Sequence, residues 1–163
     1  MRWILHRGNN NGPNSIENDP IKIHDLILKT YEIEIDVWYK NNNFFLGHDN
    51  PQYEISESFL DLSGLWIHCK DASTLEFMNI HKKHLHYFYH TNEDYVLTSK
   101  GYIWCFVGKT PLHNSVIVMP EKAEYKYNWN EIVKKNCIIC SDYSEEFIKK
   151  LLLNESIPTV KII

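Results

Sequence analysis

Residues 31–38 read Tyr-Glu-Ile-Glu-Ile-Asp-Val-Trp, an apolar and acidic alternation with a strict period of two. Successive side chains of a strand point to opposite faces, so this pattern predicts a strand and no helix. Ile33, Ile35 and Val37 fall on one face, and Glu32, Glu34 and Asp36 share the other. Whatever surrounds this strand must supply an apolar layer on one side and polar chemistry on the other.

Its neighbours continue the pattern. Trp3 to Leu5 is a short apolar run that leads into His6, Arg7 and Gly8, followed by an Asn-, Gly- and Pro-rich loop. Ile23, Leu26 and Ile27 at helical spacing predict an amphipathic helix over 21–30. Asn41 to Asn43 makes a turn, and Phe44 to Leu46 returns as a short strand ending at Gly47, His48 and Asp49. A third apolar run, Leu65 to Cys69, ends at Lys70, and residues 73–83 read as a helix capped by Asp71 or Ser73. Further strands are expected at 86–90, 95–98, 102–107, 116–119 and 137–140, with helices near 129–135 and 144–153. Strands alternating with helices predict an α/β fold. Polar residues recurring at the ends of successive strands are the pattern of a (β/α) barrel, whose active site gathers at the C-terminal ends of its strands. A full barrel of this kind takes about 250 residues and rarely fewer than about 200. The chain has 163, so the expectation is one domain over 1–163, a reduced TIM-like (β/α) barrel with several outer helices shortened or missing.

Charge and cysteine usage narrow the function. Lys and Arg total 17 against 21 Asp and Glu, a formal net charge of -4, which lacks the broad basic surface of a sequence-independent nucleic-acid binder. The apolar run at the N-terminus stops after Leu5, far short of a signal-peptide core or a membrane span, so a cytoplasmic location without membrane insertion is expected. Cys69, Cys105, Cys137 and Cys140 read as free buried thiols. Cys137 and Cys140 form a single C-x-x-C, with no second pair to complete a zinc site.

The chemistry-bearing residues are His6-Arg7-Gly8 after the first strand, Glu34-x-Asp36 on the second, His48-Asp49 after the hairpin and Lys70 after the third apolar run. All four sit at strand ends, in an order that a barrel would bring around one mouth. In these motifs the chain resembles the glycerophosphodiester phosphodiesterase family, within the superfamily of phosphatidylinositol-specific phospholipase C-like phosphodiesterases. That family opens with H-R-G and a P-E-N-[ST] segment, then E-x-D, then H-D. Here Pro13-Asn14-Ser15 is matched to the P-E-N-[ST] segment and lacks its Glu, and Cys140-Ser141-Asp142-Tyr143 resembles the closing strand. The family's third-strand E-x-K appears as His68-x-Lys70, an imidazole where a carboxylate completes the family's metal site.

The resemblance implies a metal-dependent phosphodiesterase acting on a small phosphodiester of the glycerophosphodiester type. Its divalent ion would be held by Glu34, Asp36 and His68. Mg²⁺ or Ca²⁺ is the family expectation, whereas a His ligand suits Mn²⁺ or Zn²⁺. One group must take a proton from the attacking oxygen and another must give one to the leaving alkoxide, and His does either near neutral pH. His6 and His48 fit those roles, with Arg7 and Lys70 holding phosphate oxygens as a planar fork and a point charge. Glu34 and Asp36 alone would repel a phosphate, so an acidic pair beside basic residues suggests a cation. Two alternatives stand beside hydrolysis: a cyclising lyase or transferase, and an inactive phosphate-binding module. Asp49 reads as an orienting or loop-capping residue, and His68 as a ligand or a satisfied core histidine. His81, His84, His86 and His90 are split between a helix end and a strand and do not predict one ion. His90 is expected to line the pocket, and Tyr102 and Trp104 to form core or wall. The alcohol groups and the oligomeric state have no readable code.

Overall fold

In the computed structural model, residues 2–123 and 127–145 are described, and the helix expected at 144–153 lies outside them from residue 146 onward. The first strand, β1 (Trp3–His6), is followed by α1 (Pro20–Leu28), whose start is set by Asp19: its carboxylate accepts from the Ile21 and Lys22 N–H groups, and Pro20 fills the first helical turn. The acidic alternation becomes β2 (Glu32–Lys40), which turns through Asn41 and Asn42, both at positive φ, into β3 (Asn43–Leu46). Asn tolerates that left-handed conformation better than most residues. A strand not expected from sequence, β4 (Tyr53–Ile55), adds to the hairpin, since its three residues are too short to show a period.

The chain continues with β5 (Leu65–Cys69), α2 (Ala72–His81), β6 (Tyr87–Tyr89), β7 (Tyr95–Leu97), β8 (Ile103–Cys105), β9 (Ser115–Val118), α3 (Trp129–Lys134) and β10 (Ile138–Ser141). Asp71, rather than Ser73, caps α2 by accepting from the Thr74 N–H. His86 and His90 flank β6. The fold is mixed α/β, a curled sheet with few helices. Side by side, its strands run β6, β5, β2, β1, β10, β9, β8, β7, with β3 and β4 branching from β2. From β6 through β8 the pairings are parallel, and β7 is antiparallel to β8. The last strand lies beside the first, with Ile4 opposite Cys140. The Ser99 N–H donates to the Tyr87 carbonyl at 2.8 Å, and the Tyr87 N–H to Ser99 Oγ at 2.9 Å, so the two ends of the sheet also meet.

The period of two then decides what lies inside. Ile33, Ile35 and Val37 pack with Leu5 and Ile67 of the neighbouring strands against Ile23 and Leu26 of α1 and Met78 of α2. The opposite face turns into the curl, where Ile4, Trp66, Phe88, Trp104, Val116, Val118, Ile138 and Cys140 form an inner core. Trp104 stacks on Phe88 with centroids 4.2 Å apart, a core role. Burying one such aromatic contributes on the order of 2 to 3 kcal/mol. Below this core, at the N-terminal end, Arg2 and Glu32 pair at 2.7 Å, with Trp66 Nε1 donating to Glu32 and Arg2 to the Tyr102 hydroxyl. All four cysteines are buried and free.

Candidate functional site

At the other end of the inner face the polar residues converge. Parallel register sets His6 opposite Glu34 and Asp36 opposite His68, so three adjacent strands deliver their side chains to one layer. His6, Glu34, Asp36 and His68 are all buried, with Asp36 fully inaccessible. Charges removed from water this way are costly unless paired. Asp36 is paired on every side. His68 Nδ1 lies 2.9 Å from Oδ1, Lys70 Nζ lies 3.3 Å from the same oxygen, and Asn18 Nδ2 donates to Oδ2 at 3.0 Å. Arg7 Nε sits 3.1 Å from Oδ2 as a charge contact without an aligned hydrogen bond. Burial opposes ionisation of Asp36, but the His68 bond and the charges of Lys70 and Arg7 outweigh it and hold the carboxyl well below the usual range. Glu34 behaves in the opposite way. Its oxygens accept from the Arg7 backbone N–H at 3.2 Å, and its nearest imidazole contacts are His68 at 3.8 Å and His6 at 3.9 Å. Burial and the Asp36 charge therefore push the Glu34 carboxyl up.

His6 is oriented from a strand that its own sequence neighbourhood does not contain. Its Nδ1 lies 2.7 Å from Asp142 Oδ1, just past β10, which leaves Nε2 as the nitrogen on the Glu34 side. Desolvation disfavours the imidazolium, but the Asp142 bond and the Glu34 charge prevail and raise the His6 pKa. Burial likewise disfavours the Asp142 carboxylate, and the His6 bond, Lys122 and Asn9 overcome it, so Asp142 is held below the carboxylate range. Lys122 Nζ reaches Asp142 Oδ2 at 2.8 Å, and Asn9 donates to Oδ1 at 3.0 Å.

The loop after β1 is shaped for these contacts. Arg7 and Gly8 both take positive φ, which reverses the chain, and a Cβ on Gly8 would meet Ile23 Cγ1 of α1 at 3.3 Å. Within the loop, Glu17 accepts from Arg7 at 3.1 Å and from Asn9 at 2.8 Å, while the Asn18 side chain also accepts the Asp36 N–H. Of the loop residues it is Glu17 and Asn18 that reach Arg7 and Asp36, whereas Asn14 donates to Asn9 at 2.9 Å. The readable signal was Asp19-Pro20, a helix start that places Glu17-Asn18 at the loop's last turn. Asn9 and Asp142 were also given no role in the sequence, although Asp142 follows Ile138 and Cys140 with the parity of the inner face.

His48 is placed differently. Gly47 donates its N–H to the Asp36 carbonyl at 3.1 Å and brings the β3 end level with the site. Its backbone requires glycine, because a Cβ would run into the Asn50 carbonyl oxygen. The His48 ring beyond it is 40% exposed and bonds Asp49 Oδ1 at 2.7 Å, which gives Asp49 the orienting contact expected of it. His90, at the end of β6, stacks on His68 with centroids 4.4 Å apart and planes within 1°. Rings stacked face to face cannot aim their in-plane nitrogens at one ion, so His90 is not a further ligand.

Glu34, Asp36 and His68 form a cluster whose ligand atoms lie within 4.8 Å of one another and which could hold a metal ion. The donor set fits one. Glu34 is a buried carboxylate without a close cationic partner, and His68 keeps a buried Nε2 with no hydrogen bond. Among the described residues no other such cluster occurs, and His81, His84, His86 and His90 do not form one. His86 bonds Thr98 and packs against the Trp66 ring, whereas His84 lies 3.4 Å from Asp61. A cavity of about 780 Å³ opens at the opposite, N-terminal end near Arg2, Glu32 and Trp66, and neither His6, Glu34, Asp36 nor His68 lines it. Among the described residues no helix is long and apolar enough to cross a membrane. Comparison with protein-family models, with curated proteins and with solved structures gave no match.

Proposed function

We propose that the chain is a phosphodiesterase of the glycerophosphodiester phosphodiesterase type on a reduced TIM-like barrel, acting in the cytoplasm on a small phosphodiester. The observation that carries this reading is the buried layer in which an Asp142-oriented His6, the carboxylates of Glu34 and Asp36, and the cations Arg7 and Lys70 meet. A reaction at this layer exchanges one P–O bond for another. The attacking oxygen, from water or a neighbouring substrate hydroxyl, gives its proton to one imidazole as its bond to phosphorus forms. The leaving alkoxide takes a proton from the other as its bond breaks. His6, whose proton affinity is raised, acts as the acid through Nε2, and His48 at the rim acts as the base. Arg7 and Lys70 leave Asp36 in part to hold the non-bridging oxygens. A divalent ion at Glu34, Asp36 and His68, with Mg²⁺ or Ca²⁺ the family expectation and Mn²⁺ the choice a His ligand favours, would offset the phosphate charge when bound.

A single-turnover assay on glycerophosphodiesters and cyclic phosphates, with Mg²⁺, Ca²⁺ and Mn²⁺ in turn, tests the reading. Arg7→Lys should lower kcat by a large factor, because a point charge cannot reproduce the bidentate fork. One observation favours a second reading, an inactive phosphate-binding module: Asp36 already has Asn18, Arg7, Lys70 and His68 as partners. Phosphate binding without turnover under every metal would select it.

A further inference from the structure

An acid/base pair needs both members held in place, and His48 is not held by its side chain. Its hydrogen bond runs to Asp49, which is itself 86% exposed. What fixes His48 must therefore be its backbone. Strand register shows where that backbone sits. β5 covers one edge of β2 from Ile33 to Val37. The other edge is shared: β1 pairs with Glu32 to Glu34, and β3 arrives from the opposite direction to pair with Val37 to Lys40. The end of β1 thus brings His6 beside Glu34, and the end of β3 brings Gly47, with His48 next to it, beside Asp36.

Gly47 has no side chain for packing to grip, so only its peptide groups can anchor the turn. Both are taken. Its N–H donates to the Asp36 carbonyl at 3.1 Å, and its carbonyl, in the peptide that joins it to His48, accepts from Trp38 Nε1 at 2.6 Å. The alternation of β2 places Trp38 for this contact. Tyr39 turns to the helix side, where its ring lies 4.7 Å from Phe44 and 4.8 Å from Phe77, so Trp38 falls on the side of Asp36. Lys40 Nζ lies 5.4 Å from the Trp38 ring centroid and reaches Asp71, the cap of α2, at 2.7 Å. The indole is held over its face while its N–H holds Gly47. Among aromatic side chains of this size, Phe could fill the space but has no donor.

We propose that Trp38 is a positioning residue, which aligns His48 with the phosphate layer by fixing the Gly47–His48 peptide. This rests on the phosphodiesterase reading, in which His48 is the base. Displacing a reacting group by about 1 Å can cost up to about 10²-fold in rate, so the contact matters to the chemistry although Trp38 touches no substrate. The test is a double-mutant cycle on the metal-loaded full chain. It takes kcat and KM for a glycerophosphodiester from wild type, Trp38→Phe, His48→Ala and the double variant. Trp38→Phe keeps a ring under Lys40 and should lower kcat about tenfold with KM within about twofold. In the His48→Ala background the same change should alter kcat by less than about twofold, because no imidazole is left to align. In parallel, the NMR order parameter of the His48 ring should fall in Trp38→Phe. In wild type the Trp38 indole N–H should exchange with water at least about tenfold more slowly than free indole, a readout that needs no variant to fold. A Trp38→Phe protein with wild-type kcat, a tenfold loss that persists without His48, an unchanged ring order parameter or an unprotected indole would each overturn the Trp38 assignment alone. Turnover by none of the four proteins with Mg²⁺, Ca²⁺ or Mn²⁺ would overturn the phosphodiesterase reading and this assignment with it.

Discussion

Two histidine–aspartate pairs in this molecule share one bond length and little else. His6 and Asp142 meet at 2.7 Å with side chains 7% and 1% exposed, and His48 and Asp49 meet at 2.7 Å with side chains 40% and 86% exposed. The first joins the first and last strands, across 136 positions of sequence, whereas the second joins neighbours in one turn. A bond of the same geometry therefore does different work. In the interior it fixes a tautomer, raises the His6 pKa and ties β10 to β1. At the rim it orients a ring that remains open to solvent. An exposed ion pair contributes about 1 kcal/mol at most, because water screens it, while losing one partner of a buried pair costs about 3 to 5 kcal/mol.

The comparison breaks most sharply on activity. His6→Ala should remove nearly all turnover on a phosphodiester, a fall of about 10²- to 10⁴-fold, read by the steady-state rate of a folded, metal-loaded protein. Turnover within about twofold of wild type would detach the buried pair from the chemistry. Next in size is stability. Asp142→Ala should lower the free energy of urea unfolding by about 3 kcal/mol, since it leaves the buried His6 without its partner. Asp49→Ala should change it by no more than about 0.5 kcal/mol. Equal losses in the two variants would mean that burial does not separate the pairs.

A pH series sharpens the same contrast with a smaller effect. Asp142 has a depressed folded pKa, so its contribution is present above the unfolded value near 4 and is lost as pH falls through the folded one. His6 has a raised folded pKa, so its contribution is full below the unfolded value near 6.5 and is lost as pH rises through the folded one. The stability gap between wild type and Asp142→Asn should therefore be widest between about pH 4 and 6.5 and narrow on either side. Urea titrations at several pH values measure it, and a gap flat from pH 4 to 9 would contradict the coupling.

The contrast also explains what could be read from the sequence. The period of two in β2 was legible because each face of a strand sees one environment, and Ile33, Ile35 and Val37 do face the helices while Glu34 and Asp36 face inward. Strand ends gave the positions of His6, His68 and Lys70, since polar residues interrupt apolar runs there. The contacts of Asp142 and Asn9 could not be read because they depend on which strands become neighbours, and no local pattern encodes that β10 returns beside β1. The turn made by Arg7, Gly8 and Asn18, all at positive φ, brings Glu17 and Asn18 back to the site. His48 was assigned from its motif alone, and its exposure could not be read from Gly47-His48-Asp49.

The rate of phosphodiester cleavage against pH, for wild type and His48→Ala in parallel, tests the shared acid/base role of the two pairs most directly. The expected wild-type profile is a bell, because one imidazole must be neutral while the other is protonated. His48→Ala should lose about 10²-fold or more at the optimum with unfolding free energy unchanged within about 0.5 kcal/mol. A His48→Ala protein that cleaves at the wild-type rate with the same bell would contradict the account, and would leave the rim pair as a turn-stabilising contact beside a site that works through His6 alone.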